Sequence, residues 1–529
     1  MNITDEIKNG QAVIGIELGS TRIKAVLIGS DMKPAASGVY DWTNKLENGI
    51  WTYPESQIKE GVQHSFRDLQ KNVKDLYGVP LTSAKSMGIS AMMHGYLAFD
   101  KNDKLLVPFR TWRNSITAQA ADKLTKTLDF NIPERWTAAH LYQAVLSNEE
   151  HISKIEFVTT LAGYVHYLLT GKKVIGVGDA SGIFPIDENG GYDKEMAQHF
   201  DDLTHGTRFT KKLLDVLPEI VTAGENAGTL TVEGAKLLDP SGEFKAGVPL
   251  CPPEGDAQTG MTATNSILPK TGNVSAGTSI FSMVVLEKPL SAVHREIDIV
   301  TTPDGRPVAM VHCNNCTTDL DAWVDLLGGF LKTADLEMSK GELYDMLYAL
   351  ADKADKDCGG IVAVNYYSGE QLTGLASGRP MILRSPDSHF TPGNLIRSLV
   401  CSCFATLKIG MDILTNEEKV TIERICAHGG LFKTPTPSQN ILAAALGTDV
   451  TLNSAAGEGG AWGIALLAAF MARDDKTMTL SGFLNTLVFT DKSGRTVSPD
   501  KDDTEGFEKF MQRFVSALDA ERAAVNARS

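Results

Sequence analysis

The 529-residue chain is longer than one hydrophobic core usually serves, and its 43% apolar and 22% charged residues are typical of a globular protein, not a disordered or fibrous one. The formal net charge of −15 argues against broad contact with nucleic acid or an anionic membrane, but leaves room for a local phosphate site. We therefore expect two large domains that act on a small molecule.

The sequence predicts neither a secretory signal nor a membrane span. The first residues, MNITDEIKNGQ, carry charges without an apolar stretch, and the apolar run Ala461–Ala472 is shorter than the ~18 residues that suggest a span. Seven cysteines give no disulfide framework, and the pair Cys313 and Cys316 has no partner pair at zinc-like spacing. These features favour reduced thiols in a cytoplasmic protein.

A glycine turn near the N-terminus predicts a β-hairpin. The apolar runs Ala12–Leu18 and Ile23–Ile28 are β-prone, and Gly19–Arg22 joins them. A turn of this type can present N–H groups and hydroxyls to a phosphate.

A second glycine turn repeats the pattern about half a chain later. Gly272–Ser275 leads into the turn Gly277–Ser279, and Ile280–Leu286 leads out of it. The spacing indicates an internal duplication of one phosphate-binding hairpin, once per domain. Two unrelated hairpins remain the alternative, because glycine turns are common.

The segment that follows the first hairpin contains candidate ligand contacts. Ser86–Ala98 begins like a strand and contains Met93–His94–Gly95, while Arg110–Asn114 groups donors with an indole, as polyol sites do. A structural histidine and a surface loop would use the same residues. Pro133–Leu146 and Phe157–Leu169 are predicted to be helices.

Two glycine runs resemble a dinucleotide-binding motif without matching it. Gly176–Val177–Gly178 with Gly182, and Gly457–Glu458–Gly459 with Gly463, each have one residue too many before the last glycine. We therefore discount a Rossmann site.

The stretch Pro253–Gln258 contains the strongest candidate for chemistry. Asp256 follows a glycine and precedes the Gly277–Thr278 turn by about twenty residues, as suits transfer of a phosphoryl group to a hydroxyl. Asp256 would be the general base, and the glycine turn would hold phosphate oxygens. An aspartate after a glycine is, however, more often a turn or capping residue.

The second half supplies a further glycine pair. Val420–Cys426 is predicted to be a strand that leads to His428–Gly429–Gly430, where a flat ring can lie against the backbone. The segment Val362–Arg379 is rich in loops and contains Glu370. Arg397–Ile413, Gln439–Leu446 and Ala461–Ala472 are predicted helices, and the tail from Thr504 has an aromatic stripe that predicts core packing.

Taken in order, these motifs resemble those of the FGGY carbohydrate kinases from about Val13 to about Ala472. The motifs are GIELGSTRIKAV at Gly15–Val26, MHG at Met93–Gly95, LTG with GDASG at Leu169–Gly182, GDAQTG at Gly255–Gly260, SAGTS at Ser275–Ser279, AHGG at Ala427–Gly430 and EGGAWGIA at Glu458–Ala465. The MHG element is most similar to that of the xylulose kinases within the family.

The resemblance implies an α/β fold of two actin/hexokinase/Hsp70-like (ribonuclease H-like) domains with a cleft between them, ATP and Mg²⁺ as cofactors, and Asp256 as the base. We expect the domains at 1–262 and 263–529. The implied contacts for ATP and its phosphates are Gly19, Ser20, Thr21, Arg22, Gly277, Thr278, Ser279, Gly429 and Gly430. The implied sugar contacts are Met93, His94, Trp112, Asn114 and Asp256, with Glu17 toward the metal.

Three residues depart from the pattern of the family. Glu17 stands where an aspartate is usual, Met92 where a glutamine commonly precedes MHG, and Asn114 where many relatives have an aspartate. The resemblance therefore implies a kinase more firmly than it implies one sugar.

The function that we expect is ATP-dependent phosphorylation of a ketopentose such as xylulose. Alternatives are a kinase for another ketose, a polyol or a small hydroxylated signal, and a silent sensor that binds sugar or nucleotide. An actin-like polymerising ATPase fits less well, because the MHG and RTWRN segments suit a small polar ligand. We expect no nucleic-acid or membrane partner, and the sequence leaves a homodimer open.

Overall fold

A computed structural model describes residues 2–434, 436–452, 459–490 and 494–527. The strands up to residue 262 are β1 (Val13–Leu18), β2 (Arg22–Ile28), β3 (Pro34–Asp41), β4 (Lys45–Glu47), β5 (Ile50–Thr52), β6 (Ser86–Ala91), β7 (Leu97–Phe99), β8 (Phe157–Thr159), β9 (Val174–Gly176), β10 (Glu219–Val221), β11 (Gly228–Thr229), β12 (Pro249–Leu250) and β13 (Glu254–Gly255). The helices that begin before residue 262 are α1 (Ile3–Lys8), α2 (Glu55–Tyr77), α3 (Ala118–Leu128), α4 (Thr137–Leu146), α5 (Leu161–Thr170), α6 (Val177–Ala180), α7 (Lys194–Thr204), α8 (Leu213–Val216), α9 (Val232–Leu238) and α10 (Asp256–Ala263).

The remaining strands are β14 (Thr271–Ala276), β15 (Ile280–Val285), β16 (Asp298–Thr301), β17 (Pro307–Cys313), β18 (Val362–Val364), β19 (Met381–Leu383), β20 (Arg424–His428), β21 (Asp449–Leu452) and β22 (Arg495–Val497). The remaining helices are α11 (Thr318–Thr333), α12 (Lys340–Asp352), α13 (Pro392–Asp412), α14 (Ser438–Leu446), α15 (Gly459–Met471), α16 (Leu480–Phe483) and α17 (Lys501–Asn526).

The chain forms two compact units. Unit 1 comprises Met1–Ile267, Ile299–Val308 and Glu458–Thr490, and unit 2 comprises Leu268–Asp298, Ala309–Gly457 and Asp491–Ser529. A single cut at residue 262 cannot describe this division, because two later segments group with the first unit. One of them contains α15, which packs on β1 and β6.

The main sheet of unit 1 has the first hairpin near its centre. Its strand order is β11-β12-β6-β1-β2-β3, with β13 also paired to β6. β1 and β2 are antiparallel, as predicted from the glycine turn, and β1 and β6 are parallel. The residues after β1, β6 and β13 therefore emerge at one edge of the sheet.

Unit 2 repeats this arrangement. Its main sheet contains the order β22-β21-β20-β14-β15-β17, in which β14 and β15 form the second predicted hairpin. β20 is parallel to β14 and to β21, just as β6 is parallel to β1 and to β12. The second hairpin thus has the same place in its sheet as the first, which supports the internal duplication indicated by the sequence.

Two glycines allow α15 to approach the sheet of unit 1 closely. A Cβ atom at Gly15 on β1 would lie 2.1 Å from the Ala461 carbonyl oxygen, and one at Gly88 on β6 would lie 2.7 Å from Ile464 Cγ1. Because no side chain larger than hydrogen fits at either position, the helix lies directly on the strands. The N-terminus of α15 is thereby held at the edge where β1 ends.

Several predicted elements have different bounds in the structure. Helix α4 begins at Thr137 instead of Pro133, and the predicted helix Phe157–Leu169 is wrong over Phe157–Thr159, which forms β8 against β7. Phenylalanine, valine and threonine favour a strand there, and the helix α5 begins only after Thr160 supplies the N-cap. The predicted strand Val420–Cys426 begins later, at Arg424.

Helix α13 and the helical tail form part of the core of unit 2. α13 continues into a π-helical turn and is long and apolar enough to cross a membrane, but 72% of its most apolar window is buried within the protein, as in a core helix. On α17, Phe507, Phe510, Phe514 and Leu518 are buried, which confirms the predicted packing of the aromatic stripe. The seven cysteines are buried, and none of them forms a disulfide in the described part of the chain.

Candidate active site

Asp256 lies at the N-terminus of α10, where β13 ends beside β6. The backbone N–H of Met93, just past the end of β6, donates a 3.1 Å hydrogen bond to Asp256 Oδ1. Burial raises the pKa of Asp256 to about 6, opposed by this N–H and by that of Ala257. The helix N-terminus also favours the carboxylate. The group is therefore mostly ionised at neutral pH and remains a competent proton acceptor.

Glu17 lies on β1 and reaches the N-terminus of α15. Its Oε2 accepts a 3.1 Å hydrogen bond from the Ala461 N–H, and a Cβ atom at Gly460 would lie 2.3 Å from Oε1. The glycine at 460 thus makes room for the longer side chain of this glutamate. Burial, followed by the charge of Asp256, raises the pKa of Glu17 to about 7. The motif residue Glu458 lies outside the described residues.

His94 and Met93 lie beside Asp256. The backbone of His94 has a φ of +69°, which non-glycine residues seldom adopt, and its ring faces Trp136 with centroids 6.2 Å apart. A Cβ atom at Gly182 would lie 2.6 Å from His94 Nδ1, so the glycine of the GDASG motif makes room for the ring. Unit 1 therefore brings together Glu17, Met93, His94 and Asp256.

Trp112 and Asn114 make contacts within the protein. The Asn114 amide accepts from the Trp51 N–H at 2.8 Å and donates to the Trp51 carbonyl at 2.8 Å, so it links the RTWRN segment to β5. Trp112 is partly buried against the core of unit 1. As sugar contacts, both residues stay predictions.

The first hairpin turn is fixed by aromatic side chains. Trp42 Nε1 donates to the Gly19 carbonyl at 2.7 Å, and the Tyr53 hydroxyl donates to the Ser20 carbonyl at 2.6 Å. Thr21 and Arg22 are exposed and help to line an open pocket of about 460 Å³. Arg22 Nε, at the start of β2, is 2.7 Å from Oδ1 of Asp41 on the neighbouring strand β3.

The second hairpin turn, in unit 2, is fixed by backbone groups. The N–H groups of Cys316 and Thr317 donate to the carbonyls of Thr278 and Gly277 at 3.0 and 3.1 Å. A Cβ atom at Gly277 would meet no described atom within 4 Å, and Thr278 is exposed. Ser279 closes the turn by accepting from the Gly277 N–H at 2.9 Å.

The glycine pair after β20 lies against this turn. Gly429 has a φ of +109°, and a Cβ atom there would lie 2.2 Å from the Ala276 carbonyl oxygen, so glycine is required by the fold. Gly430 is exposed, and a Cβ atom there would meet nothing within 4 Å. The predicted phosphate and adenosine residues of unit 2 therefore share one edge of its sheet.

Two buried carboxyl groups near Asp256 were missed from the sequence. Glu254 accepts hydrogen bonds from the N–H groups of Gly178 and Asp179 at 3.3 and 2.8 Å, and Cβ atoms at Gly176 and Gly178 would collide with its carboxyl group. The glycine run that resembled a dinucleotide motif thus makes room for Glu254. The signal that could have identified Glu254 in the sequence is its position two residues before Asp256, in PPEGDAQ.

Asp179 is fully buried and belongs to the same cluster. Its Oδ2 accepts a 2.6 Å hydrogen bond from Thr160 Oγ1. Burial, followed by the charge of Asp256, raises the pKa of Asp179 to about 7, and burial raises that of Glu254 as well. Glu254 and Asp179 therefore bind a proton more readily than exposed carboxylates do.

The described residues contain no group of three or more His, Cys, Asp or Glu side chains arranged to hold a metal ion. Cys313 and Cys316 are both buried, and burial raises the pKa of each thiol. The backbone N–H of Cys316 helps to fix the second hairpin turn.

Comparison with known proteins identifies relatives along most of the chain. The model of the N-terminal domain of the FGGY family of carbohydrate kinases matches residues 12–262, and that of the C-terminal domain matches residues 272–472. A xylulose kinase of Haemophilus influenzae is 25% identical over 412 residues, which cover 76% of this chain and 79% of the relative.

Solved structures show the same fold at low identity. Ligand-bound xylulose kinase from Lactobacillus acidophilus superposes with a TM-score of 0.78 at 17% identity, covering 98% of this chain and 100% of that one. Gluconate kinase from the same organism gives 0.78 at 16% identity, covering 98% and 99%. These likenesses confirm the expected actin/hexokinase-like pair of α/β domains.

Three observations agree with one another. The two family models match in their proper order, the sheet is duplicated with a glycine turn in each copy, and the fold is shared with solved sugar kinases. The chain belongs to the FGGY family of carbohydrate kinases and is a phosphotransferase that uses ATP to phosphorylate a sugar.

Proposed function

We propose that this kinase transfers the γ-phosphoryl group of ATP to a hydroxyl of a ketopentose such as xylulose, with Asp256 as the general base. The observation that carries this proposal is the position of Asp256: at a helix N-terminus, bound by the Met93 N–H, with a pKa raised to about 6 by burial. A base with this pKa is charged at neutral pH and accepts a proton readily.

The proposed step is an in-line displacement. The sugar oxygen bonds to the γ-phosphorus while the bond from that phosphorus to the bridging oxygen of the β-phosphate breaks. The hydroxyl proton passes to Asp256, and ADP leaves. The Met93 N–H holds Oδ1 of the base, which limits its rotation and so orients the carboxylate.

The phosphate contacts proposed here are the two glycine turns. The residues proposed are Gly19, Ser20, Thr21 and Arg22 of the first turn and Gly277, Thr278 and Ser279 of the second, with Gly429 and Gly430 toward the adenosine. The support is that the Gly19 and Gly277 N–H groups and the turn carbonyls are bonded within the protein, which fixes each turn and leaves the hydroxyls and other N–H groups of Ser20, Thr21, Thr278 and Ser279 for a ligand. Oriented backbone N–H groups are suited to phosphate oxygens.

A magnesium ion fits the donor set near Glu17. Burial, and after it the negative charge of Asp256, raises the pKa of Glu17, so a cation beside the two carboxylates would relieve their repulsion. Mg²⁺ is commonly held by one or two carboxylates together with substrate phosphates, so a larger protein cluster is not needed. When bound, the ion would neutralise phosphate charge. We propose that Glu17 orients it, directly or through a water ligand.

The sugar assignment rests on relatives and is finer than the family itself. The relative in Haemophilus influenzae is a xylulose kinase, whereas one fold neighbour is a gluconate kinase. We propose Met93, His94, Trp112 and Asn114 as the sugar side of the site. Another ketose, a polyol or a small hydroxylated signal is the second candidate substrate class, favoured by Met92 in place of the usual glutamine.

The proposal extends to the setting of the enzyme. Seven free, buried thiols suit a reducing cytoplasm. In sequence order, we propose that residues 1–262 supply the sugar side and the first phosphate turn, and that residues 263–529 supply the second phosphate turn and the adenosine site, although Ile299–Val308 and Glu458–Thr490 group with unit 1 in the fold.

The test is ADP release from ATP and Mg²⁺ over a panel of pentuloses, hexuloses, aldoses and polyols. We expect a pentulose to give the highest rate, and Asp256→Asn to remove it. Asp239→Asn is a matched control, because Asp239 is a buried carboxylate that instead accepts hydrogen bonds from Ser241 and the Phe244 N–H. Binding of sugar or ATP without ADP release from any compound would favour the silent sensor.

A further inference from the structure

Glu370 is a buried carboxylate in the loop between β18 and β19 of unit 2, with 1% of its surface exposed. Its Oε2 accepts three hydrogen bonds: from the Asn314 N–H at 2.9 Å, from the Asn315 N–H at 3.2 Å and from Asn315 Nδ2 at 3.0 Å. A carboxylate with three donors on one oxygen holds the backbone at 314–315 in one conformation.

The next two residues hold the second glycine turn. The Cys316 N–H donates to the Thr278 carbonyl at 3.0 Å, and the Thr317 N–H donates to the Gly277 carbonyl at 3.1 Å. Four successive N–H groups are thus divided in pairs, the first pair toward Glu370 and the second toward the turn. Because the two pairs are consecutive in the chain, the position of the first pair constrains that of the second.

The Asn315 side chain fixes the same segment from another side. Its Oδ1 accepts from the N–H groups of Tyr367 and Ser368, each at 2.9 Å. In addition, Asn365 Nδ2 donates to the Cys316 carbonyl at 2.9 Å. The loop that contains Glu370 is therefore joined to residues 314–316 by both backbone and side-chain groups, all within unit 2.

We propose that Glu370 is a positioning residue for nucleotide binding, which acts by fixing the Gly277–Ser279 turn through residues 314–317. The inference rests on the proposed role of that turn in holding phosphate. Phosphate recognition by a turn depends on N–H groups that already point to the ligand, because reorganising them on binding would cost affinity.

Glutamine is a suitable conservative replacement at this position. Burial raises the pKa of Glu370 to about 7, against hydrogen bonds from Asn315 and the backbone of residues 314, 315 and 372 that favour the carboxylate. The neutral carboxyl and a glutamine amide both leave one oxygen to accept from residues 314 and 315. Alanine removes that acceptor and leaves the N–H groups of residues 314 and 315 without it.

The experiment compares full-length Glu370→Ala and Glu370→Gln with wild type by titration with ADP, by KM for ATP and for the sugar, and by Tm. Glu418→Ala is the matched control, since Glu418 is also a buried carboxylate of unit 2 with three donors, the Ser291 N–H, the Ala292 N–H and His294 Nε2. Gly277→Ala reports on the turn itself, because its added methyl meets no described atom.

We expect Glu370→Ala to weaken ADP binding by about 10²-fold, the effect of a small misplacement of a binding group, with an unchanged KM for the sugar. Glu370→Gln should restore most of the affinity for ADP. Glu418→Ala should lower Tm but leave the affinity for ADP unchanged. Two results would overturn the inference. In one, Glu370→Ala binds ADP with wild-type affinity; in the other, it binds ADP no more weakly than Glu418→Ala does at an equal loss of Tm.

Two outcomes keep this test separate from the proposed function. If wild type binds ADP and Gly277→Ala binds it equally well, the phosphate role of the turn is wrong, whatever Glu370 does. If Glu370→Ala does not fold, Asn315→Ala replaces it, because it removes one donor to Glu370 and the contacts to residues 367 and 368. Unchanged ADP affinity in that variant would equally refute a positioning role.

Discussion

The Glu17 carboxylate accepts a 3.1 Å hydrogen bond from the backbone N–H of Ala461, a residue 444 positions later in the chain. This contact joins the end of β1 to the N-terminus of α15, and Gly460 leaves the space that the longer side chain needs. A glutamate in place of the family's usual aspartate is therefore accommodated by the fold, with its carboxylate held beside Asp256.

Glu17→Gln should reduce metal-dependent activity more than sugar binding. The amide keeps the size of the side chain and an acceptor for Ala461, but it removes the negative charge that favours a divalent cation. The measurement is the Mg²⁺ concentration for half-maximal rate, together with the Tm shift produced by ADP with and without Mg²⁺. A metal dependence equal to that of wild type in both assays would contradict the role given to Glu17.

The two glycines after β20 should respond differently to alanine. Gly429→Ala should destabilise the protein by about 1–3 kcal/mol, because φ is +109° and the methyl would collide with the Ala276 carbonyl. Gly430→Ala should leave Tm unchanged, since the methyl meets only open space. It should raise KM for ATP, because the methyl would occupy the space proposed for the adenosine. Thermal unfolding and nucleotide kinetics check this pair; an unaltered KM in Gly430→Ala would remove that residue from the nucleotide site.

Asp179→Asn should become more stabilising as pH rises. Below pH 4 the carboxyl is protonated in both the folded and the unfolded chain. Because the folded pKa is raised to about 7, the unfolded chain alone releases the proton between these values, so wild type loses stability with rising pH through that window. Asparagine does not titrate.

The difference in Tm between Asp179→Asn and wild type should therefore grow from pH 5 to pH 8, by about 1–2 °C for each kcal/mol gained in a unit of this size. Asp239→Asn serves as the control, since hydrogen bonds from Ser241 and the Phe244 N–H lower the pKa of Asp239 in spite of its burial. A difference that stays constant over this range would mean that Asp179 remains ionised throughout.

Asn114→Ala should lower stability by about 1–3 kcal/mol, because the Trp51 N–H loses its acceptor, whereas the Trp51 carbonyl keeps the N–H and the hydroxyl of Thr111 as donors. If the amide serves only this purpose, the KM for the sugar will stay at the wild-type value once unfolding is accounted for. A KM that rises in fully folded enzyme would place Asn114 in the sugar site, as the family resemblance implies.

The elements that a local pattern specifies were predicted well from the sequence. Both hairpins follow from a glycine turn between β-prone runs, and the buried stripe of α17 follows from its helical spacing. The helix predicted over Phe157–Thr159 failed because that run pairs with β7, a partner about sixty residues away that local propensity does not reveal.

The candidate site could be predicted only in part, for the same reason. Asp256 and the two turns stand out by residue type and spacing. Glu254 and Asp179 did not, because their importance comes from a contact between α6 and β13 and from complete burial. In the sequence Glu370 is only a charged residue in a loop, and its three donors become evident only in the structure.

The most direct measurement follows phosphorus NMR signals during turnover of the pentulose that gives the highest ADP release, with wild type and Asp256→Asn. We predict one sugar phosphate ester for each ADP formed by wild type, and a rate lower by about 10²–10⁴-fold in the variant while ADP still binds. Inorganic phosphate in place of the ester, or a variant that turns over at the wild-type rate, would contradict the proposed transfer with Asp256 as its base.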